Sequence, residues 1–158
     1  MNAEKLFFLY AFPCSNVLVE MKAITQERFD SLKKDFEEGR VPSRPILEDS
    51  FKAAFRRIKV LAKEMNISDY WDIKVMEEYW RNGNHNKNID EGDGNYKNFP
   101  QIFCDFCKVH EAKVVGKAQN MLIIKYHTTQ RPVFDMLVKH ANIGDTVRIH
   151  HAYAIEKI

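Results

Sequence analysis

The chain has 158 residues, of which 45% are hydrophobic and 29% charged, with six glycines and five prolines, and this composition excludes a disordered or collagen-like protein. Its 24 basic and 22 acidic residues nearly balance, which argues against a protein that mainly binds nucleic acid through its charge. The length suits one domain or two small ones. Five of the six histidines lie after residue 100, so the two parts of the chain differ in composition.

The apolar run near the start, Leu6 to Phe12, is much shorter than the roughly 20 residues that a membrane span needs. It leads into Pro13 without a small-residue cleavage site, so we expect no signal peptide and a cytoplasmic protein. The three cysteines, Cys14, Cys104 and Cys107, cannot all pair with one another. A reducing compartment is therefore expected, with thiols available for metal or redox chemistry.

Helical periodicity dominates residues 1–81. Thr25 is predicted to cap a helix that ends at Gly39, because apolar residues recur there every three or four positions. A second helix is predicted from Ser43 to Met65, and a third is predicted to begin at Ser68. Their apolar stripes predict the core of a small helical bundle.

Residues 82–106 are rich in Asn, Asp and Gly up to Pro100, and they are predicted to form an irregular linker. Asp90, Glu91 and Asp93 lie in this segment. They lack the alternate-residue spacing and the closing Glu of a calcium loop, so a solvated loop is expected there.

After Pro100 the hydrophobic period changes from that of a helix to that of a strand. Short segments rich in β-branched and apolar residues are separated by turn signals, which favours a small closed or partly open barrel. The predicted fold class is α+β: an N-terminal helical domain over residues 1–81, the linker, and an OB-like β-barrel over residues 107–158. The predicted strands are 113–117, 121–126, 131–137 and 146–150.

Three segments of the last third carry a family resemblance: Cys107–Val114, with the sequence CKVHEAKV, then IGDTVRIH from Ile143 to His150, and AYAI from Ala152 to Ile155. Together they resemble the HypC/HupF family of hydrogenase-maturation chaperones. Members of that family begin with a cysteine exposed by loss of the initiator Met and end in a V-G-D-x-V-x-V-H-x-G-F-A-I segment. The resemblance covers residues 107–158 and implies a small OB-like barrel. We identify no family for the N-terminal helical region.

The resemblance implies a function without turnover. In the family, the cysteine and a partner scaffold protein hold an iron ion that carries cyanide and carbonyl ligands, before its delivery to the large subunit of a nickel–iron hydrogenase. Cys107 falls on that cysteine and His150 on the histidine of the terminal motif, so the resemblance implies these two as metal ligands, with Cys104 and His110 as further candidates. A thiolate is a strong donor for low-spin iron, and an imidazole can ligate the metal or accept a hydrogen bond.

The implied cargo is thus iron, bound transiently, with zinc or nickel less favoured. The implied partners are the scaffold protein and a metalloenzyme large subunit, with neither a membrane nor nucleic acid. The chain departs from the family pattern in having Cys107 at an internal position. It also has Glu111-Ala112 where the family has Pro-Gly, and Ala152-Tyr153-Ala154 where the family has Gly-Phe-Ala.

The pair Cys104 and Cys107 also forms a C-x-x-C motif, which leaves two alternatives open. A structural zinc site needs a second pair of ligands, for which only isolated histidines are present, and a thioredoxin-like disulfide needs the start of a helix at the motif. His110 is expected on a strand near the barrel mouth. His150 and His151 are expected on opposite faces of one strand, so that they cannot both reach one metal.

Two further functions come from other classes of protein. An OB-type nucleic-acid binder would need its aromatic side chains to stack on bases, and a plain interaction module would have lost the metal function. No nucleophile with its base, glycine-rich phosphate loop or carboxylate pair is recognisable, so we expect no enzyme activity. The aromatic residues available for stacking are Phe103, Phe106, Tyr126 and Phe134.

Overall fold

The computed structural model describes residues 1–158 and divides into two compact units, Met1–Lys97 and Asn98–Ile158. The first unit contains seven α-helices, and the second contains one α-helix followed by a closed five-stranded barrel. The predicted α+β class, with a helical part before a small barrel, is confirmed. None of the helices combines the length and the apolar character needed to cross a membrane.

The helices of the first unit are α1 (Ala3–Ala11), α2 (Ser15–Glu20), α3 (Gln26–Glu37), α4 (Arg44–Ser50), α5 (Lys52–Glu64), α6 (Ile73–Trp80) and α7 (Asn84–Asp90). The second unit begins with α8 (Gln101–Cys107), and short 3-10 helices occupy Phe12–Cys14 and Gly94–Asn98. The strands are β1 (Val109–Ala118), β2 (Met121–Tyr126), β3 (Thr129–Phe134), β4 (Thr146–His150) and β5 (Tyr153–Lys157).

Helix α1 lies at the centre of the first unit. Asn2 caps it by accepting a hydrogen bond from the backbone N–H of Lys5 at 3.0 Å. Its apolar residues are buried on almost every side, which explains why this helix shows an uninterrupted apolar run instead of one stripe. The Phe7 ring lies 4.5 Å from the ring of Phe55 on α5, so aromatic packing joins the N-terminal helix to the middle of the unit.

The predicted helices form, with two corrections to their ends. The Thr25 cap is confirmed, since its hydroxyl accepts from the N–H of Arg28 at 3.1 Å. The single helix predicted from Ser43 to Met65 is divided into α4 and α5 at Phe51, whose backbone is not helical. The third helix begins at Ile73 and not at Ser68, because Asp72 provides the capping carboxylate, 2.8 Å from the N–H of Lys74.

The segment predicted as an irregular linker, residues 82–106, is largely helical, and that prediction is wrong in its local structure. Helix α7 follows Gly83, whose φ of 95° is the left-handed conformation that glycine adopts without strain. Asp93 is not a solvated loop residue, because its carboxylate forms ion pairs with both Arg56 and Arg57. The guanidinium of Arg57 is buried, so this carboxylate ties the end of the first unit to α5.

The barrel closes in the order β1-β2-β3-β5-β4, the strand order of an OB-like fold. Strand β1 pairs with β4 through its first half and with β2 through its second, and the two ladders meet at Lys113. A register shift between Val114 and Gly116 lies within the ladder of β1 and β2. A Cβ at Gly116 would lie 3.2 Å from the side chain of Ile123, so glycine permits this close approach. The fifth strand was not among the predicted strands. Alternate residues fill the interior: Ala112, Val114, Leu122, Ile124, Val133, Val147 and Ile149.

Replacing Asp93 with Asn tests the ion-paired carboxylate. Hydrogen bonds from Arg56 and Arg57 lower the pKa of Asp93, so its contribution to stability is present above the unfolded pKa of about 4 and is lost as the pH falls through the folded pKa. We expect Asp93→Asn to lower the free energy of unfolding by about 2 kcal/mol at pH 7, because Arg57 loses its partner. Denaturant unfolding measures the change.

The same experiment at pH 3 should show a much smaller difference from the wild type. Glu91→Gln is the matched control, because Glu91 contacts only the exposed Lys87, and it should change the stability by less than about 0.5 kcal/mol. An equal loss for the two variants at pH 7 would contradict the assignment.

Candidate functional site

Cys107 is the last residue of α8. Pro100 precedes the helix with a φ of −56°, a conformation that directs the chain into the first turn. After Cys107, Lys108 is extended and β1 begins at Val109. Cys107 is therefore the last residue of a helix, whereas the sequence analysis placed it at the start of the barrel. It is 3% exposed, so its surroundings are those of a core residue.

His150 is the last residue of β4, where it is directly opposite Val109 of β1. Its Nε2 lies 2.9 Å from the backbone oxygen of Cys107, although 43 positions separate the two residues in the sequence. The resemblance implies these two residues as ligands of one metal, which requires them to lie close together, and the structure does bring them together. A carbonyl oxygen can only accept, so Nε2 carries the proton and the basic lone pair of His150 is on Nδ1.

Both groups are shielded from water, since His150 is fully buried. A metal ion can reach the Cys107 sulfur only when α8 or its neighbours open locally. A helix of seven residues has little stability of its own, so such an opening requires only that its tertiary contacts be released. Across the chain, the structure brings together no group of three or more His, Cys, Asp or Glu side chains that could hold a metal ion.

Cys104 lies one turn before Cys107 on the same face of α8, and both are buried. Its Sγ lies 3.8 Å from the backbone oxygen of Phe99. The C-x-x-C motif is thus carried by a helix, whereas the sequence analysis placed Cys104 in the irregular linker and Cys107 at the start of the barrel. None of the three cysteines forms a disulfide.

His110 is on β1, as predicted, and belongs to a cluster that joins α8 to β2. Its ring stacks on Tyr126 with centroids 4.1 Å apart, and its Nε2 donates to the backbone oxygen of Asp105 at 2.8 Å. The hydroxyl of Tyr126 donates to the Asp105 carboxylate at 3.1 Å. Burial lowers the pKa of His110, against the opposing effect of Asp105. The contacts of His110 are with this cluster and not with Cys107 or His150.

His151 is not on a strand, in contrast to the prediction. It occupies the tight turn between β4 and β5 with a φ of 55°, and it is also buried. Its ring lies 4.1 Å from the ring of Phe106 on α8. Burial, reinforced by the neighbouring His150 and Arg131, lowers the pKa of His151 to about 4.

The four aromatic residues considered for base stacking are in different environments. Tyr126 is buried, and the ring of Phe106 is covered by Arg131 and His151. Phe103 packs on Phe99 with centroids 4.9 Å apart. Phe134 alone is exposed, at 43%, which does not make the continuous platform that single strands use.

A scan against protein-family models and a search of curated proteins find no match to this chain. The candidate functional site therefore consists of residues of the barrel and α8. Sequence reasoning missed two of them, Asp105 and Arg131, because each has a partner on a distant element: Tyr126 for Asp105 and Phe106 for Arg131. The only local signal was the position of Asp105 between two cysteines on what proved to be one helix turn.

His151→Asn tests the buried histidine, and Asn suits the left-handed backbone at this position. With a folded pKa of about 4 and an unfolded pKa near 6.5, the unfolded chain binds more protons between these values. The stability of the wild type should therefore fall as the pH is lowered from 6.5 to 4, by on the order of 3 kcal/mol at most. The variant should lose the His151 part of this slope and keep a shallower one, because burial also lowers the pKa of His110.

Urea unfolding at several pH values measures the slope. His140→Asn is the control, since His140 is an exposed histidine of the same unit, and it should retain the slope of the wild type. A slope as steep in His151→Asn as in the wild type would contradict the assignment.

Proposed function

We propose that the C-terminal unit is a metallocentre-assembly carrier resembling the HypC/HupF family. It would hold an iron ion, with cyanide and carbonyl ligands, through Cys107 and a partner scaffold protein, for delivery to a nickel–iron hydrogenase or a related metalloenzyme. The observation that carries the proposal is the hydrogen bond between His150 and the Cys107 carbonyl at the seam of a closed OB-like barrel. These are the two residues that the sequence resemblance singled out.

The chemistry of the pair suits a carrier. A thiolate binds low-spin iron strongly, and an imidazole held by a backbone carbonyl has a fixed tautomer and orientation. Few ligands from this chain would contact the iron, and the partner would supply others. Because no single protein then encloses the metal, exchange of one ligand suffices to pass it on.

The burial of Cys107 also supports carriage. A shielded thiol is protected from oxidation between rounds of loading, because oxidants react with accessible thiolates. Loading would then be coupled to a partner that opens the short helix α8. This coupling would restrict the metal to the partner that can open the site.

A second candidate is an OB-type binding module without a metal function, for protein or nucleic acid. The exposed ring of Phe134, which packs on Tyr153 at 5.3 Å, favours a contact surface on β3. The excess of basic residues in the last 58 positions, eight against five acidic ones, is small. The first proposal accounts for more of the barrel, since Phe134 alone specifies no partner.

Cys107→Ala tests the carrier proposal. The full chain, purified under strict anoxia from cells that contain its natural partners, should contain iron, with infrared bands of cyanide and carbonyl. We expect the variant to lose both while its circular dichroism is unchanged, because the substitution removes the metal-binding thiolate and only one buried heavy atom, which lowers stability without changing the secondary structure. His150→Gln should weaken iron binding by about 10- to 100-fold, as expected for a residue that orients a ligand.

Cys14→Ala is the matched control. Burial raises the pKa of the Cys14 thiol to about 12, so this cysteine is an inert thiol. The variant should contain as much iron as the wild type. Equal iron content in Cys107→Ala and the wild type would show that the carrier proposal is wrong.

A further inference from the structure

Arg131 differs from every other arginine in the chain. Seven of the eight arginines have a carboxylate oxygen within 4.0 Å, and Arg131 has none. The paired arginines and their partners are Arg28 with Asp49, Arg40 with Asp35 and Glu38, Arg44 with Glu4, Arg56 and Arg57 with Asp93, Arg81 with Glu77, and Arg148 with Glu111 and Glu156.

The guanidinium of Arg131 is held between aromatic rings. Its Cζ lies 4.6 Å from the centroid of the Phe106 ring and 5.7 Å from that of Tyr126. Its Nε donates to the Tyr126 hydroxyl at 3.5 Å, and that hydroxyl donates in turn to Asp105. Its Nη2 is buried and has no hydrogen-bond acceptor.

These contacts leave one requirement of the side chain unmet. Aromatic rings interact with the face of a guanidinium, whereas its N–H groups donate in the plane. A buried charged donor without an acceptor is unfavourable, and such groups are rare in folded proteins unless a ligand or water completes them. Aromatic contacts hold Arg131 in place, and no carboxylate of the chain pairs with it. An acceptor from outside the chain would complete the hydrogen bonding of Nη2.

We propose that Arg131 anchors a binding site for a small anion in the C-terminal unit. The ligand class is a compact oxyanion, a phosphate or a carboxylate, because these accept in-plane hydrogen bonds from a guanidinium. Nη2 is covered by its neighbours, so an anion reaches it only when those side chains move aside. The neighbouring titratable groups are His110, His151, Tyr126 and Asp105, and the Tyr126 hydroxyl stands between the Asp105 carboxylate and Arg131. Burial lowers the pKa of both histidines, so neither competes for the anion as a cation at neutral pH.

The site is separate in its chemistry from the proposed iron ligands. Arg131 contacts Phe106, which precedes Cys107, but the groups that hold the guanidinium are the rings of Phe106 and Tyr126 and not the thiol or His150. Anion binding and iron carriage can therefore succeed or fail independently. Cys107→Ala should lose iron and still bind the anion.

The test is a titration of the full-length, metal-free protein with inorganic phosphate and, separately, with formate. Side-chain ¹⁵N NMR signals of Arg131 and the melting temperature report binding, since a ligand of the folded state raises the latter. We expect saturable shifts of the Arg131 signals with at least one of the two anions. Arg131→Lys should bind about tenfold more weakly, because an ammonium lacks the planar fork, and Arg131→Met should not bind.

Arg148→Lys is the matched control, an arginine of the same barrel that already has two carboxylate partners, and it should bind as the wild type does. Without added anion, Arg131→Met should melt at or above the temperature of the wild type, because it removes an unsatisfied charge. The absence of saturable shifts in the wild type with both anions would overturn the proposal. A second result would also overturn it: Arg131→Met melts below the wild type, and by the same amount with and without anion. Arg131 would then have a purely structural role.

Discussion

The pairing of β1 with β4 is the constraint on which the C-terminal unit depends. It closes the barrel, with Val109 opposite His150 at one end and Lys113 opposite Thr146 at the other. From Lys113 onward β1 pairs with β2, and the bulge after Val114 bends the strand within that ladder. The ladder fixes the end of β4 beside the start of β1, so Cys107, two residues before that start and at the end of α8, meets His150. The proximity of Cys107 and His150 is a consequence of barrel closure.

Helix α8 connects this seam to the other groups of the unit through three consecutive residues. The carbonyl of Cys107 accepts from His150, the ring of Phe106 lies between Arg131 and His151, and Asp105 binds His110 and Tyr126. The helix has only seven residues, so these tertiary contacts, and not its own backbone hydrogen bonds, hold it in place. A partner that displaces α8 would alter the thiol and the Arg131 environment together.

The sequence predicted the features that local patterns determine. The side chain of Thr25 caps a helix and so predicts where that helix begins. The change from helical to alternating hydrophobic periodicity predicted the barrel. Local patterns could not reveal the break at Phe51, because the apolar stripe continues across it. They did not reveal α8 either, because Cys104, Cys107 and Phe103 were interpreted as ligands and stacking groups and not as residues of one helix. The isolation of Arg131 was also inaccessible, since an arginine is recognised as unpaired only when every carboxylate has been placed in space.

The central claim is that iron is held by the sulfur of Cys107. Iron K-edge X-ray absorption of the anoxically purified, full-length protein with its partner measures this directly, by comparing the wild type with Cys107→Ser and with Cys104→Ser. The account predicts sulfur scattering from the iron in the wild type and in Cys104→Ser, and a loss of one sulfur ligand in Cys107→Ser. Retention of the full sulfur contribution in Cys107→Ser would contradict it.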